Sequence, residues 1–263
     1  MRSGFVLACV VLALAVAASA QNVRITWIGQ AAFVVQAEGG PTVVTDPPAP
    51  AVGYVLPEVN AEVVTVSHNH PDHNFTQGVR GNFTLVDGRP VTTRTQMTAA
   101  GMQFVLIPGF HDAQSGNVTG PNTIVQWMQG GLRFAHFGDY GQEQLTEAQL
   151  ADLQNLDVLM IPAGGFFTIE PEEGAAIAAQ LRARVTILMH YRTPLSAAGP
   201  LAILPAVAAP FPAVVYKPST VVLSRERLPS SPETWVMEPA ASAVVMNAAS
   251  FEAGVPVAPA SLA

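Results

Sequence analysis

Cysteine is almost absent from this chain: its 263 residues include one, at position 9. Basic residues are scarce as well, with 12 Lys+Arg against 19 Asp+Glu and a formal charge of −7. No run of Lys and Arg interrupts that balance. Phosphate contacts need a basic face, so the composition argues against a nucleic-acid partner. Gly and Pro number 21 and 22, about 16% of the chain together and below the roughly 25–30% of low-complexity sequences. Disorder is therefore excluded as the main state. The length allows one large domain or two small ones, and no fixed-period repeat is present.

The one long apolar run lies at the start. Arg2 gives a positive beginning, positions 4–17 are apolar apart from Cys9, and Ala18-Ser19-Ala20 supplies small residues for cleavage. That is the form of a secretory signal peptide. The run is shorter than the ~20 residues that span a bilayer. Cys9 precedes most of the run instead of following it, so lipid attachment there is not expected. Cleavage before Gln21 removes 20 residues from 263, leaving 243, and loss of Arg2 takes the charge from −7 to −8. The expected product is an exported protein, periplasmic or extracellular, with no stable membrane anchor. Its metal sites could use only nitrogen and oxygen ligands, and no disulfide could stabilise it.

Short β-rich runs open the remainder, at 23–28, 32–35 and 42–45, with Gly29, Gly39-Gly40 and Pro47-Pro48 as turns between them. Residues 62–66 read as a buried strand, and 104–107, 123–128 and 133–137 as further strands. Thr146 is placed to cap a helix, 157–161 is a strand, and Pro171 opens a helix running to about Arg182. Another buried strand follows at 185–189, and strands are expected near 213–216 and 221–223. Strands first and strand–helix alternation afterwards predict an α/β or α+β sandwich over 21–239. Residues 240–263 are small, apolar and nearly uncharged, which suggests a tail or linker.

The densest chemistry is Ser67-His68-Asn69-His70-Pro71-Asp72-His73-Asn74. Three of the six histidines fall within six residues, with an aspartate among them, directly after a buried strand. Ligand sites of open α/β sheets form at such strand ends, and imidazole with carboxylate suits Zn, Mn or Fe. An exposed polar loop is the bland alternative, but such density serves no packing purpose. His111, Asp139 and His190 each stand at or just beyond a predicted strand end. Taken singly, each is readable as a turn or core residue.

The H-x-H-x-D-H pattern resembles the signature loop of the metallo-β-lactamase superfamily. The resemblance continues through Gly29–Phe33, Thr45-Asp46-Pro47, Gly109–Asp112, His136–Asp139 and Met189-His190-Tyr191, although the family usually has histidine where Gln30 stands. Ile161–Gly165 and Phe167–Ile169 look like the branch similar to the L-ascorbate-6-phosphate lactonase. The resemblance implies a four-layer αββα sandwich holding two divalent ions, Zn first, with Mn or Fe compatible. His68, His70 and His111 would hold one ion, Asp72, His73 and His190 the other, and Asp139 would bridge them. Asp46 is a candidate to orient a ligand histidine. His136 is expected to support or pack rather than ligate. Asp112, Tyr191 and Arg192 flank ligands and could face substrate. The tail segments 244–251 and 257–262 look like the opening of a C-terminal β-sandwich-like module, with an unstructured end as the alternative.

Two ions can share a water and lower its pKa from about 15.7 to about 7. The expected reaction is attack of that metal-bound hydroxide on a small-molecule ester, lactone, amide or phosphodiester, with Asp72 or Asp139 moving the proton. A non-catalytic metal- or ligand-binding protein is the rival, and a true β-lactamase is less favoured because the second site lacks cysteine. Expression of the full chain in a bacterial host should release a protein whose N-terminal sequence begins at Gln21. A mature chain that keeps Met1 would refute the export expectation.

Overall fold

A computed structural model describes residues 21–196 and 199–240. The expected signal peptide and residues 241–263 of the tail lie outside the described residues. The strands are β1 (Val23–Gly29), β2 (Ala32–Ala37), β3 (Thr42–Thr45), β4 (Val63–Val66), β5 (Thr84–Asp87), β6 (Thr95–Ala99), β7 (Met102–Phe110), β8 (Pro121–Gln129), β9 (Leu132–His136), β10 (Val158–Pro162), β11 (Val185–Met189), β12 (Val214–Lys217), β13 (Thr220–Leu223) and β14 (Glu233–Met237). Among the described residues the α-helices are α1 (Glu147–Asp152), α2 (Pro171–Leu181) and α3 (Leu204–Ala208). None is long and apolar enough to cross a membrane. Six strands form one sheet in the order β13-β1-β2-β3-β4-β5, and eight form the other in the order β12-β14-β11-β10-β9-β8-β7-β6. The chain is thus a mixed α/β fold of two sheets and few helices.

Alternation along the strands decides which side chains fill which layer. In β1 and β2, Ile25, Trp27, Phe33 and Val35 join the main core, while Ile28, Ala32 and Val34 join a second cluster on the outer face. β3 and β4 repeat the split, with Val43 and Val63 inward and Val44 and Val64 outward. A period of two with both faces apolar is what a sheet covered on each side requires. Tyr54, Val59 and Ala240 help cover that outer face, and the Ala240 amide donates to the Trp27 carbonyl. In the other sheet β10 and β11 are buried throughout, and α2 lays Ile177 and Leu181 into the core.

Helix ends follow from local chemistry. Thr146 forms the expected capping box, its hydroxyl accepting from the Gln149 amide while Gln149 Oε1 accepts from the Thr146 amide. Pro171 starts α2, and Arg182 ends it with φ +51°. The irregular stretch after Thr193 contains α3, opened by Leu204 and Pro205. Strands β5, β6 and β14 lie where no strand was expected. Burial in β5 and β6 is only partial, which blurs their hydrophobic signal.

Strand direction places the site. β1 and β3 both run antiparallel to β2, and β4 is parallel to β3. β7 and β9 both run antiparallel to β8, and β10 and β11 continue parallel to β9. Within each sheet, every strand that leads into a candidate ligand therefore points its carboxyl end the same way.

His136, the last residue of β9, ties the sheets together at that edge. Its Nε2 donates to the Ala31 carbonyl at 2.7 Å, and its Nδ1 accepts from the Gly138 amide at 3.2 Å. Burial lowers its pKa, which favours the neutral ring this pairing needs. His136→Leu would take away the bond to the Ala31 carbonyl, which keeps only the Thr45 hydroxyl, and the acceptor of the Gly138 amide, at a cost of about 1–3 kcal/mol. Thermal unfolding should shift down accordingly while metal stoichiometry stays that of the parent chain. A loss of metal with no change in unfolding would contradict this packing role.

Candidate metal centre

Six strand ends deliver the site. β1 leads to Gln30, β3 to Asp46, β4 to the 67–74 loop, β7 to His111, β9 to Asp139 and β11 to His190. Their ligand-capable atoms fall into groups lying within 4.8 Å: His68, His70, His111 and Asp139 in one, Asp72, His73, Asp139 and His190 in another. Asp139 belongs to both. The structure thus brings together all seven residues expected to converge.

Asp139 is buried, and its oxygens face four rings. Oδ2 lies 3.1 Å from His111 Nε2, 3.3 Å from His190 Nε2 and 3.6 Å from His68 Nε2. Oδ1 lies 3.1 Å from His73 Nε2. Burial alone would raise the Asp139 pKa, but His190 and His73, with hydrogen bonds from His111 and His190, hold it well below the ordinary carboxylate range. Asp72 is more open, with 28% of its side chain exposed. Burial pushes its pKa up, and His73 and His190 more than reverse that.

Proton placement tests whether cations fit. The Ser67 hydroxyl gives its one proton to Asp46 Oδ2, so at 2.9 Å from His68 Nδ1 it must accept the proton that nitrogen carries. His73 Nδ1 donates to Asp46 Oδ2 at 2.9 Å. Both rings then keep an Nε2 lone pair for the site. His68 Nε2 and His70 Nδ1 approach within 3.0 Å, and His73 Nε2 and Asp139 Oδ1 are buried without a hydrogen-bond partner. Converging lone pairs of this kind are the donor set of an N/O metal site. Asp46 thus bonds His73 directly and reaches His68 through Ser67, the contacts by which a carboxylate orients imidazole rings.

Three supporting residues were given no role from sequence. Gln30 Nε2 donates to Asp72 Oδ2 at 2.8 Å, so the residue that departs from the family pattern still holds a ligand carboxylate. Asn122 Oδ1 accepts from the Asp139 amide at 3.0 Å, and its Nδ2 donates to the Phe137 carbonyl at 2.8 Å. A buried asparagine inside an apolar strand was the available clue. Gly164 packs so closely on the His190 carbonyl that an added Cβ would collide with it.

The three suggested substrate contacts divide. Asp112 organises its own loop, its oxygens accepting from the amides of Gln114, Gly116, Val118 and Thr119. Tyr191 is 2% exposed, with its hydroxyl donating to the Met237 carbonyl. Arg192 is exposed and, with Tyr191, Tyr216 and Glu238, lines a cavity of about 240 Å³.

Fold and ligand set together define a metal-dependent hydrolase of the metallo-β-lactamase class. Residues 24–190 match the family described as "Beta-lactamase superfamily domain", and the chain belongs to that superfamily. It is similar to a metal-dependent hydrolase of Nitratidesulfovibrio vulgaris, 29% identical over 199 residues that make up 65% of this chain and 80% of the relative. A metal-dependent hydrolase of Anaeromyxobacter sp. is 27% identical over 253 residues, covering 82% of this chain and 84% of the relative. The crystal structure of a member of the metallo-β-lactamase superfamily from Thermotoga maritima is 31% identical, with a TM-score of 0.65, over 82% of this chain and 98% of that one.

Protons and cations compete for these ligands. Burial disfavours a charged His190, yet the Asp139 carboxylate 3.3 Å from its Nε2, with Asp72 at 3.9 Å, pushes its pKa up to about 9 from 6.5. In the metal-free protein this raised value adds stability that is fully present below pH 6.5 and is lost as pH rises through about 9. His73 is shifted the same way, chiefly by Asp139 and Asp72 acting against burial. The melting temperature of metal-free protein should fall between pH 6.5 and 9, and His190→Gln should flatten the slope. Metal affinity should rise over the same interval, because binding displaces these protons. A metal-free melting temperature that climbs with pH would refute this account.

Proposed function

We propose that this protein is an exported dinuclear hydrolase acting on a small ester, lactone, amide or phosphodiester. The observation that carries this reading is the sharing of Asp139 between two four-residue ligand groups. His68, His70 and His111 would hold one ion and Asp72, His73 and His190 the other, with Asp139 between them. An all-imidazole and carboxylate set suits Zn, with Mn and Fe also compatible. Such ions acidify water and polarise a carbonyl or phosphoryl oxygen. The resemblance of 161–165 and 167–169 to the lactonase-like branch supports the lactone among these substrates. Action outside the cytoplasm rests on the signal-like segment at 1–20.

The two carboxylates divide the work. Asp139 is closed in by four rings and serves to hold charge in place. Asp72 reaches solvent, and its Oδ2 is occupied by the Gln30 amide. Oδ1 makes no hydrogen bond among the described residues, which leaves it to take a proton from water and return it to the leaving group. Asp46 and Ser67 keep His68 and His73 in one tautomer while the proton moves.

Elemental analysis of protein purified without added metal should give two ions per chain. His68→Ala and Asp139→Asn should each abolish turnover of the substrate found in a broad ester, lactone and phosphodiester screen. Asp46→Asn should cost roughly 10–100-fold in metal affinity or activity. Turnover that survives both His68→Ala and Asp139→Asn would overturn the mechanism. Two bound ions without turnover on any substrate would favour a metal-binding protein instead.

A further inference from the structure

The candidate ligands leave the carboxyl ends of β9 and β11, whereas a different set of charges gathers at the amino ends. Arg133 is the second residue of β9, Asp157 directly precedes β10, and Arg184 directly precedes β11. Arg182 caps α2, and Arg225 follows β13. All five line one cavity of about 370 Å³, together with Leu156 and Met128. The intervening β10 has five residues, so about 16 Å of strand separates this cavity from the metal edge.

A third of the chain's 12 basic residues meet here in a protein of charge −7. One carboxylate answers them. Asp157 Oδ2 accepts from Arg225 Nη2 and from the Arg133 backbone amide, each at 2.8 Å. Arg225 also donates to the Gly131 carbonyl, and Arg184 to the Pro229 carbonyl. Glu233 pairs with Val185 beside them, but its carboxylate accepts from Trp235 Nε1 at 2.7 Å. The guanidinium groups of Arg133 and Arg182 make no hydrogen bond or ion pair among the described residues.

Capping of strand-end and turn carbonyls accounts for Arg184 and Arg225. It does not account for Arg133 and Arg182, whose unpaired forks share a cavity with two further cations. Like charges held this close repel, and a planar five-donor fork matches an oxyanion two bonds at a time. We infer that this cavity binds a multivalent oxyanion of the phosphate type, at a site separate from the metal centre. Arg133 and Arg182 supply the direct contacts, while Arg184 and Arg225 add positive potential without leaving their carbonyls. The volume falls within the roughly 300–1,000 Å³ of small-ligand sites, which admits an organic group beyond the phosphate, with Leu156 and Met128 as its apolar wall. A soluble phosphorylated compound and a phospholipid headgroup both present this chemistry.

The test titrates inorganic phosphate into the metal-loaded full chain by calorimetry, at ionic strength held constant with chloride. Flotation with phosphatidylglycerol vesicles, against phosphatidylcholine vesicles, runs in parallel. Phosphate should bind saturably, and Arg133→Gln/Arg182→Gln should weaken it about tenfold or more while the unliganded melting temperature and metal content hold. The exposed Arg182→Gln alone should weaken it in the same direction, which guards against misfolding of the double variant. His68→Ala should retain phosphate binding. Binding to phosphate assigns a soluble ligand, and binding to anionic vesicles alone assigns a headgroup. Absence of both, binding indifferent to the arginine substitutions, or binding lost in His68→Ala would overturn the inference.

Discussion

Asp139 is an ionised carboxylate with almost no access to water, and removing such a charge from water costs several kcal/mol unless it is compensated. Four imidazole nitrogens lie within 3.6 Å of its oxygens. Rings that stay neutral cannot offset that charge alone, and rings that all carry protons would repel one another. Metal binding would resolve the conflict, since each coordinating imidazole then gives a lone pair instead of a proton. The supporting contacts serve this arrangement. Ser67 and Asp46 fix which nitrogen of His68 and His73 keeps its hydrogen, and Asn122 fixes the backbone of Asp139 itself.

The same edge stores backbone strain. Gln30, Asp46 and His190 have φ of +50°, +36° and +52°, in the left-handed region that side chains with a Cβ rarely adopt. Surrounding bonds hold each of them there. The His190 amide donates to the Gln30 carbonyl at 3.0 Å, and Trp27 Nε1 donates to the same carbonyl at 3.1 Å. The Asp46 amide donates to Thr65 at 3.0 Å. Strained turns at the ends of strands from both sheets are thus locked to one another, which fixes ligands far apart in the chain with little freedom to drift.

Legibility in the sequence tracks how local each signal is. The 67–74 loop was readable because its ligands are neighbours, and β10 and β11 because a strand buried on both faces is an apolar run, broken in β11 only by Thr186. Thr146 and Pro171 announced their helices through chemistry confined to one turn. His111, Asp139 and His190 gained meaning only from their order along the chain, because each alone resembles a turn or core residue. For Asp112 and Tyr191 the difficulty is the opposite one: standing next to a ligand says nothing about which way a side chain turns. Asp112 turns back into its own loop, and Tyr191 turns into the core beneath Trp27. Gln30 showed itself as a departure from the family pattern, but its bond to Asp72 spans 42 positions.

The arginines at the other edge extend that lesson to charge. Read along the chain, Arg133, Arg182, Arg184 and Arg225 are scattered cations in an acidic protein, and net charge argued against any basic face. Parallel strands undo that reading. In β9, β10 and β11 all amino ends share one edge as surely as all carboxyl ends share the other, so residues just before each strand are brought together whatever their separation. The architecture that collects imidazoles and carboxylates at one edge therefore collects guanidinium groups at the opposite one. Average composition describes neither edge, because the sheet sorts charge by strand direction.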